Sequence, residues 1–295
     1  FMYNPQVKTF ITVADAGSFN KAAEQLFVSS TAIIKQINLL EDHLEVRLFH
    51  RSHRGLSLTE AGKVFYKDAK HIIKYSENTV KRVREAERGI SDIVRIGTSP
   101  ITPVDCLTSL APKFQAEHIQ FQIIPFENNP ENARQILSNL GRDIDVVMGI
   151  YDESTDKVYE KINTLTVQEL PLSILMSSTD QLASKEQLEW SDLEGRRVYL
   201  LSAGWSHAID ELRKDIAAHH PNVEIVDFPF LNTAIFNQCI NDGDVFVGLP
   251  IWKHIHLFLT VRPMNWNYSI NYGILYSQEP SEPVKKFLNV VKENI

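Results

Sequence analysis

Between residues 18 and 54 the chain carries side chains suited to reading nucleic acid. Thr31, Ile34, Lys35 and Asn38 stand at i, i+3, i+4 and i+7, so a helix presents them on one face. That face combines a hydroxyl, an ammonium, an amide and methyl groups, the functions that meet base edges in a DNA major groove. Ser29 and Ser30 stand at its amino end, where free backbone N–H groups favour phosphate. Ser18 opens the preceding helical stretch. Downstream, Arg51, His53 and Arg54 crowd a short turn ending at Gly55, placed for phosphate or minor-groove contacts that set affinity and register rather than sequence.

These residues need a scaffold. Ser18 is placed to cap a helix running to about Leu26, its hydroxyl accepting from a first-turn N–H. Ala22 and Ala23 are small enough for a second helix to cross close by. Phe27 and Val28 fall in the connection, and Ser29 caps the next helix. There Ile33, Ile37, Leu40 and Leu44 recur at steps of four, three and four, a buried stripe opposite the reading face. Residues 46–49 alternate like a strand, residues 51–55 form a charged turn in which Gly55 can take a positive φ, and residues 56–58 alternate back. Two short helices, a tight turn and a basic hairpin amount to a winged helix-turn-helix.

In order and without gaps, residues 4–62 resemble the DNA-binding domain of the LysR-type bacterial transcriptional regulators. The resemblance is carried by Phe10, Gly17, Ser18, Phe19, Ala22, Ala23, Leu26, Val28, Ser29, Ala32, Lys35, Gln36, Ile37, Leu40, Glu41 and Leu44. It continues through Arg47, Leu48, Phe49, Arg51 and the run from Leu58 to Gly62. Three positions depart from the family pattern. Gln, then Pro or Ser, usually follows the capping serine, where this chain has Ser30 and Thr31. A small polar residue is usual at Ile34, and a glycine at Glu45. The first two departures fall on base-reading positions, so the operator of a relative does not transfer. Ile34 either meets a thymine methyl or packs under the wing.

Charge is divided unevenly along the 295 residues. Residues 1–90 hold 14 Lys and Arg against 10 Asp and Glu, a net of +4, while the remainder hold 16 against 27, a net of −11. Such asymmetry points to a nucleic-acid-binding end joined to something else, and the overall −7 excludes a coat for indiscriminate binding. There is no apolar run of about 18 residues and hence no membrane span. Residues 1–5 lack the regions of a signal peptide. The two cysteines, Cys106 and Cys239, are far apart and form no CxxC, which suits a reducing cytoplasm.

Thr59 is placed to cap a helix over residues 59–88 that no proline interrupts, about 43 Å long. Tyr66, Ala69, Ile73, Ser76, Val80 and Val83 form a heptad-like seam along it, with Phe65 and Ile72 beside the seam and able to pack back onto the DNA-binding body. The resemblance implies that this linker helix pairs with its mate in a homodimer, giving two-fold symmetry and an inverted-repeat operator on double-stranded DNA. A break at residues 89–91 is the expected hinge.

From Asp92 the texture becomes α/β. Strands are expected at residues 93–97, 121–126, 146–150, 170–176, 224–228, 245–249 and 272–276. Helices are expected at 102–118, 131–140, 205–219, 233–241 and 282–292. Together with residues 95–97, 143–150 and 243–250, this pattern resembles the periplasmic-binding-protein-like effector domain of the same family. The expected organisation is an all-α winged helix-turn-helix over 1–58 and a linker helix and hinge over 59–90. A two-subdomain α/β effector domain follows, with 91–163 and 266–295 forming one subdomain and 164–265 the other. A small-molecule effector is expected in the cleft between them, at strand carboxyl ends. Thr98, Ser99, Ile101 and Thr102 are expected to contact it, their hydroxyls and N–H groups suiting a carboxylate or phosphate. Ser202, Trp205, Phe246 and Gly248 are the expected partners from the other subdomain. Ordinary capping and core packing are the competing roles for each of these residues.

Enzyme chemistry finds no footing. The chain has no GxSxG, GxxxxGK[ST] or HExxH motif. His254 and His256 would share one face of a strand, but no third metal ligand stands near them. No cofactor is expected. The resemblance implies a cytoplasmic, dimeric or tetrameric transcriptional regulator, against the alternative of an architectural DNA binder without an effector.

Overall fold

The computed structural model describes residues 2–52, 55–87, 93–152 and 162–295, and the chain divides into two units, Phe1–Ser91 and Asp92–Ile295.

The first unit begins with helix α1 (Pro5–Ala16). Asn4 caps it by accepting from the Gln6 N–H, Pro5 presets the first turn, and Gly17 ends it at φ 62°. Helices α2 (Phe19–Leu26) and α3 (Ser30–Leu44) follow, then a hairpin of β1 (Phe49–Ser52) and β2 (Gly55–Leu58), then α4 (Glu60–Glu87). Ile33, Ile37 and Leu40 point into a core shared with Phe10, Val13, Ala22 and Leu48, and Leu44 packs at its margin. Fully burying one such aliphatic side chain contributes about 1.5–3 kcal/mol, so this stripe fixes the rotation of α3 about its axis. The wing strand starts at Phe49, three residues later than residue 46, where alternation alone placed it. Val46 is exposed and Leu48 fully buried before the ladder pairs Phe49 with Leu58 and Ser52 with Gly55.

Helix α3 ends at Glu45, which takes a left-handed backbone at φ 56°. This is the position where glycine is usual in the resembling family, and the conformation supplies the reason. Left-handed backbone costs a residue with a Cβ about 1–2 kcal/mol, part of which glycine gives back through unfolded-chain entropy. Glu45→Gly is therefore expected to stabilise the first unit by about 0.5–1 kcal/mol. Chemical denaturation of both proteins checks this; an unchanged or lower midpoint would show that the cap carries no strain.

The seam expected on α4 is rotated. Tyr66, Ala69 and Ile73 pack into the unit's own core rather than facing away from it, while Phe65 packs back onto that core as expected. The side chains left uncovered are Val64, Ile72, Tyr75 and Val83, so Ile72 does not pack back as expected. A heptad pattern identifies an apolar stripe but not the surface that covers it.

In the second unit the elements are β3 (Ile93–Thr98), α5 (Ala111–Ala116), β4 (Gln120–Pro125), α6 (Pro130–Ser138), β5 (Val146–Tyr151) and β6 (Ile162–Pro171). They continue with β7 (Ser173–Ser177), α7 (Trp190–Leu193), β8 (Arg197–Leu201), α8 (His207–His219), β9 (Glu224–Phe228), α9 (Thr233–Asp242) and β10 (Val245–Gly248). The chain closes with β11 (Leu259–Pro263), β12 (Ser269–Ser277) and α10 (Glu282–Lys292). Two five-stranded sheets result, ordered β4-β3-β5-β12-β6 and β11-β7-β10-β8-β9. In each, three parallel strands are joined to two that pair antiparallel with their neighbours. The chain crosses from the first sheet to the second at Leu172, between β6 and β7, rather than near residue 163. It returns between Pro263 and Ser269.

Three strands escaped the sequence reading. The early residues of β6 alternate weakly because this edge strand is half exposed, and the short strands β8 and β11 owe their existence to neighbours distant in sequence. The helix expected over 102–118 is instead a 3-10 turn (Asp105–Leu110) followed by the short α5. Pro112 has no N–H to offer Thr108, so the turn tightens before it and a new helix starts there. Helix α8 begins at His207, later than residue 205. Below the first sheet, the buried Asp145 carboxylate accepts from the Arg95 backbone N–H (2.8 Å), Nε (2.9 Å) and Nη2 (2.7 Å), tying β3 to the entry of β5.

Candidate functional site

The outer face of α3 is held by its amino-terminal cap. Ser29 Oγ accepts from the Ala32 N–H at 3.2 Å and lies 3.0 Å from Thr31 Oγ1, while Ser30 Oγ donates to Asn20 Oδ1 at 2.7 Å. Thr31, Ile34, Lys35, Asn38, Leu39 and Asp42 line one shallow groove along the helix. Ile34 lies in this groove, outside the core cluster of the first unit. Lys35 is exposed and forms no ion pair with the described residues. Ser18 stands at the N-cap of α2 with extended backbone, but its hydroxyl makes no capping hydrogen bond, contrary to expectation. His53 and Arg54 lie outside the described residues.

Arg51 has a structural task. Its Nη2 donates to Asn38 Oδ1 (2.7 Å) and Glu41 Oε2 (3.1 Å), and its guanidinium carbon sits 5.2 Å from the Phe19 ring centroid. It thereby fastens the wing to the reading helix. Glu41, to which the sequence reading gave no role, is the centre of that junction. Its buried carboxylate also accepts from Arg47 Nη1 (2.9 Å) and from the Leu48 (2.7 Å) and Phe49 (3.1 Å) N–H groups. Burial pushes this carboxyl up, but the Arg47 hydrogen bond, the two amides and the Arg51 charge outweigh it and hold it below the usual range. A glutamate beside the apolar stripe, followed by two arginines at strand spacing, was the available signal.

The wing is also clamped to α4. Thr59 Oγ1 donates to the Arg47 carbonyl (2.7 Å) and accepts from the Gly62 N–H (2.9 Å). Gly62 presses on the wing so closely that a Cβ there would lie 2.1 Å from the Leu48 carbonyl oxygen.

In the second unit, residues from both sheets line a cleft of about 180 Å3. Its walls are mostly apolar: Phe126, Ile136, Val147, Ile150 and Tyr151 from one side, Leu201, Trp205, Phe230 and Trp252 from the other. Among the described residues, hydrogen bonds cross it from Asn128 Nδ2 to the Leu231 carbonyl (2.8 Å) and from Trp252 Nε1 to the Ile101 carbonyl (2.9 Å). At its edge, Asp152 Oδ2 accepts from the His207 N–H (2.6 Å) and caps α8 from the opposite half.

Of the expected contact residues, Ile101, Thr102 and Trp205 line this cleft. The others are placed elsewhere. Thr98 Oγ1 donates to the Thr102 carbonyl (3.2 Å), and the Ser99 N–H and Oγ pair with Thr102 Oγ1 (3.0 and 2.9 Å), so the hydroxyls after β3 close on one another. Ser202 continues the β8–β9 ladder, its N–H and Oγ both donating to the Phe228 carbonyl. Phe246 stacks between Phe228 and Phe236 in the second sheet's core, and Gly248 leaves room for Phe246 and Trp252. Sequence reasoning missed Phe126, Asn128, Arg134, Tyr151, Phe230 and Trp252. Their convergence is made by sheet order, which leaves no local trace.

His254 and His256 fall in turns before β11, not in a strand, and His256 Nδ1 accepts from the Phe258 N–H. No cluster of three potential metal ligands occurs among the described residues. Burial pushes the Cys106 thiol up to about 11 and the Cys239 thiol up to about 12, so neither is a ready thiolate. No helix of the described residues is long and apolar enough to cross a membrane.

Comparisons with known proteins place the chain. The family model for bacterial regulatory helix-turn-helix proteins of the lysR family matches residues 5–63. The HTH-type transcriptional regulator YvbU of Bacillus subtilis (strain 168) is 26% identical over 98% of this chain and 97% of its own. The regulator TcbR of Pseudomonas sp. (strain P51) is 45% identical over 28% of this chain and 29% of its own. Among solved structures, the LysR family transcriptional regulator CbnR superposes with a TM-score of 0.73 at 20% identity, covering 98% of both chains. Full-length CbnR in complex with its target DNA gives the same score at 19% identity, covering 99% of both chains. These relatives are named as transcriptional regulators rather than enzymes. With the helix-turn-helix matched by the lysR family's own model and the fold matched from end to end, this chain is similar to the LysR-type transcriptional regulators along its whole length.

Proposed function

We propose that the protein is a cytoplasmic, sequence-specific DNA-binding regulator whose activity a small molecule modulates from the cleft of its second unit. The observation that carries the DNA reading is the exposed α3 face of Thr31, Ile34, Lys35 and Asn38, braced by the Glu41–Arg51 junction. The CbnR–DNA complex, similar along its whole length, supports it. The uncovered α4 strip of Val64, Ile72, Tyr75 and Val83 supports a homodimer whose paired heads meet an inverted repeat, with second units available to join dimers into tetramers. A cleft of about 180 Å3 walled by aromatic and aliphatic side chains supports effector control over a purely architectural role. A ligand that binds one arrangement of the two halves more tightly shifts the population toward it.

The test is sequencing of genomic fragments retained by the purified protein at physiological salt. The expected result is enrichment of an imperfect inverted repeat; retention without sequence preference would favour an architectural binder. On the enriched site, Lys35→Ala is expected to weaken specific binding roughly tenfold or more while the thermal unfolding profile stays unchanged. Undiminished operator affinity would remove Lys35 from the reading face.

A further inference from the structure

We infer that the cleft takes a single-ring apolar molecule bearing one acidic group, the ring seated among the aromatic walls and the acid at Arg134. This rests on the cleft being the effector site and adds the chemistry of its occupant.

Size sets the first limit. An apolar cavity of about 150 Å3 accommodates a benzene ring. The cleft, at about 180 Å3, has room for one ring with a small substituent. Wall chemistry sets the second. Phe126, Tyr151, Trp205, Phe230 and Trp252 give a ring faces and edges to pack on. A dicarboxylate or a free amino acid would strip several polar groups of water and find few partners, because the local donors are already used. Asn128 Nδ2 and Trp252 Nε1 bridge the two halves, and the Ser99 and Thr102 hydroxyls pair with each other. The anion cradle expected after β3 is therefore closed.

Charge sets the third. Among the described residues, Arg134 on α6 is the one charged side chain lining the cleft, and it makes no side-chain hydrogen bond or ion pair with them. A guanidinium at the rim of an apolar chamber recognises a carboxylate bidentately while leaving the ring in the dry part. The acid recognised is thus at the mouth, on the first-sheet side, and not at the strand end where hydroxyl content alone placed it.

The experiment is titration of the full-length protein by calorimetry and tryptophan emission, since Trp205 and Trp252 line the cleft. The probes are benzoate, toluene and succinate. Benzoate is expected to bind one per chain and change the emission, toluene to bind more weakly, and succinate to give no signal. Arg134→Gln should lower benzoate affinity about tenfold or more and leave toluene affinity unchanged. Ala133→Phe, which fills the chamber from α6, should abolish both signals with an unaltered unfolding profile. Succinate binding as tightly as benzoate, no binding of either ring compound, or equal benzoate affinity in Arg134→Gln would each overturn the inference. Operator binding is read separately. Benzoate that binds without altering operator affinity would sink the regulatory reading and leave the site intact. An operator response to a polar acid in the absence of benzoate binding would do the reverse.

Discussion

Glu41→Ala is expected to cost the first unit roughly 3 kcal/mol and to abolish specific operator binding at ordinary protein concentrations. The substitution strands the buried Leu48 and Phe49 N–H groups and frees Arg47 and Arg51 from their shared anchor. Arg51 then loses the support that sets it against Asn38 on the reading helix, so the wing and the α3 face no longer move as one piece. Because the Glu41 carboxyl is held below its ordinary value in the folded chain, its ionised form stabilises the fold. That contribution is fully present above the unfolded value, near pH 4.3, and is lost as pH falls through the folded value. Denaturant midpoints measured from pH 7 down to pH 3 should fall more steeply for the parent protein than for the variant. Parallel curves would mean that the junction is not electrostatic in origin.

Gly62→Ala should also be destabilising, although alanine is ordinarily the better helix former by about 1 kcal/mol. The added methyl would lie 2.1 Å from the Leu48 carbonyl oxygen and 3.1 Å from Leu58 Cδ2, and neither the backbone of the wing entry nor that of α4 can yield cheaply. Overpacking of this kind costs roughly 1–3 kcal/mol, and here the strain falls on the contact that orients the wing. The expected signature is a lower unfolding midpoint together with weaker DNA binding. A variant as stable as the parent would show that the α4–wing contact relaxes freely.

The first unit was legible in the sequence because its information is local. Asn4 with Pro5, Ser29 and Thr59 mark helix starts through bonds that reach no more than three residues. The Ile33, Ile37 and Leu40 stripe needs only the helical period to declare its face. Even the glycine usual at Glu45 had a local cause, a left-handed backbone at the end of α3. Errors there arose where two elements compete for one surface. The α4 seam was read from its period, but the core of the same chain covers Tyr66, Ala69 and Ile73 and leaves the neighbouring strip open.

For the second unit, the sequence determined that strands and helices alternate and that its net charge is opposite in sign to that of the first unit. Only the tertiary structure decided what the cleft is made of. Arg134, Tyr151, Trp205, Phe230 and Trp252 meet because β12 returns to the first sheet and β7 joins the second, contacts between residues far apart in the chain. Local signals place a hydroxyl at a helix start with equal confidence whether it greets a ligand or its own neighbour. In this chain Thr98, Ser99 and Thr102 spend theirs on each other, because a closed turn satisfies their polar groups without the cost of keeping them bare. The apolar chamber that remains is a property of the packing of two sheets, and no window of sequence contains it.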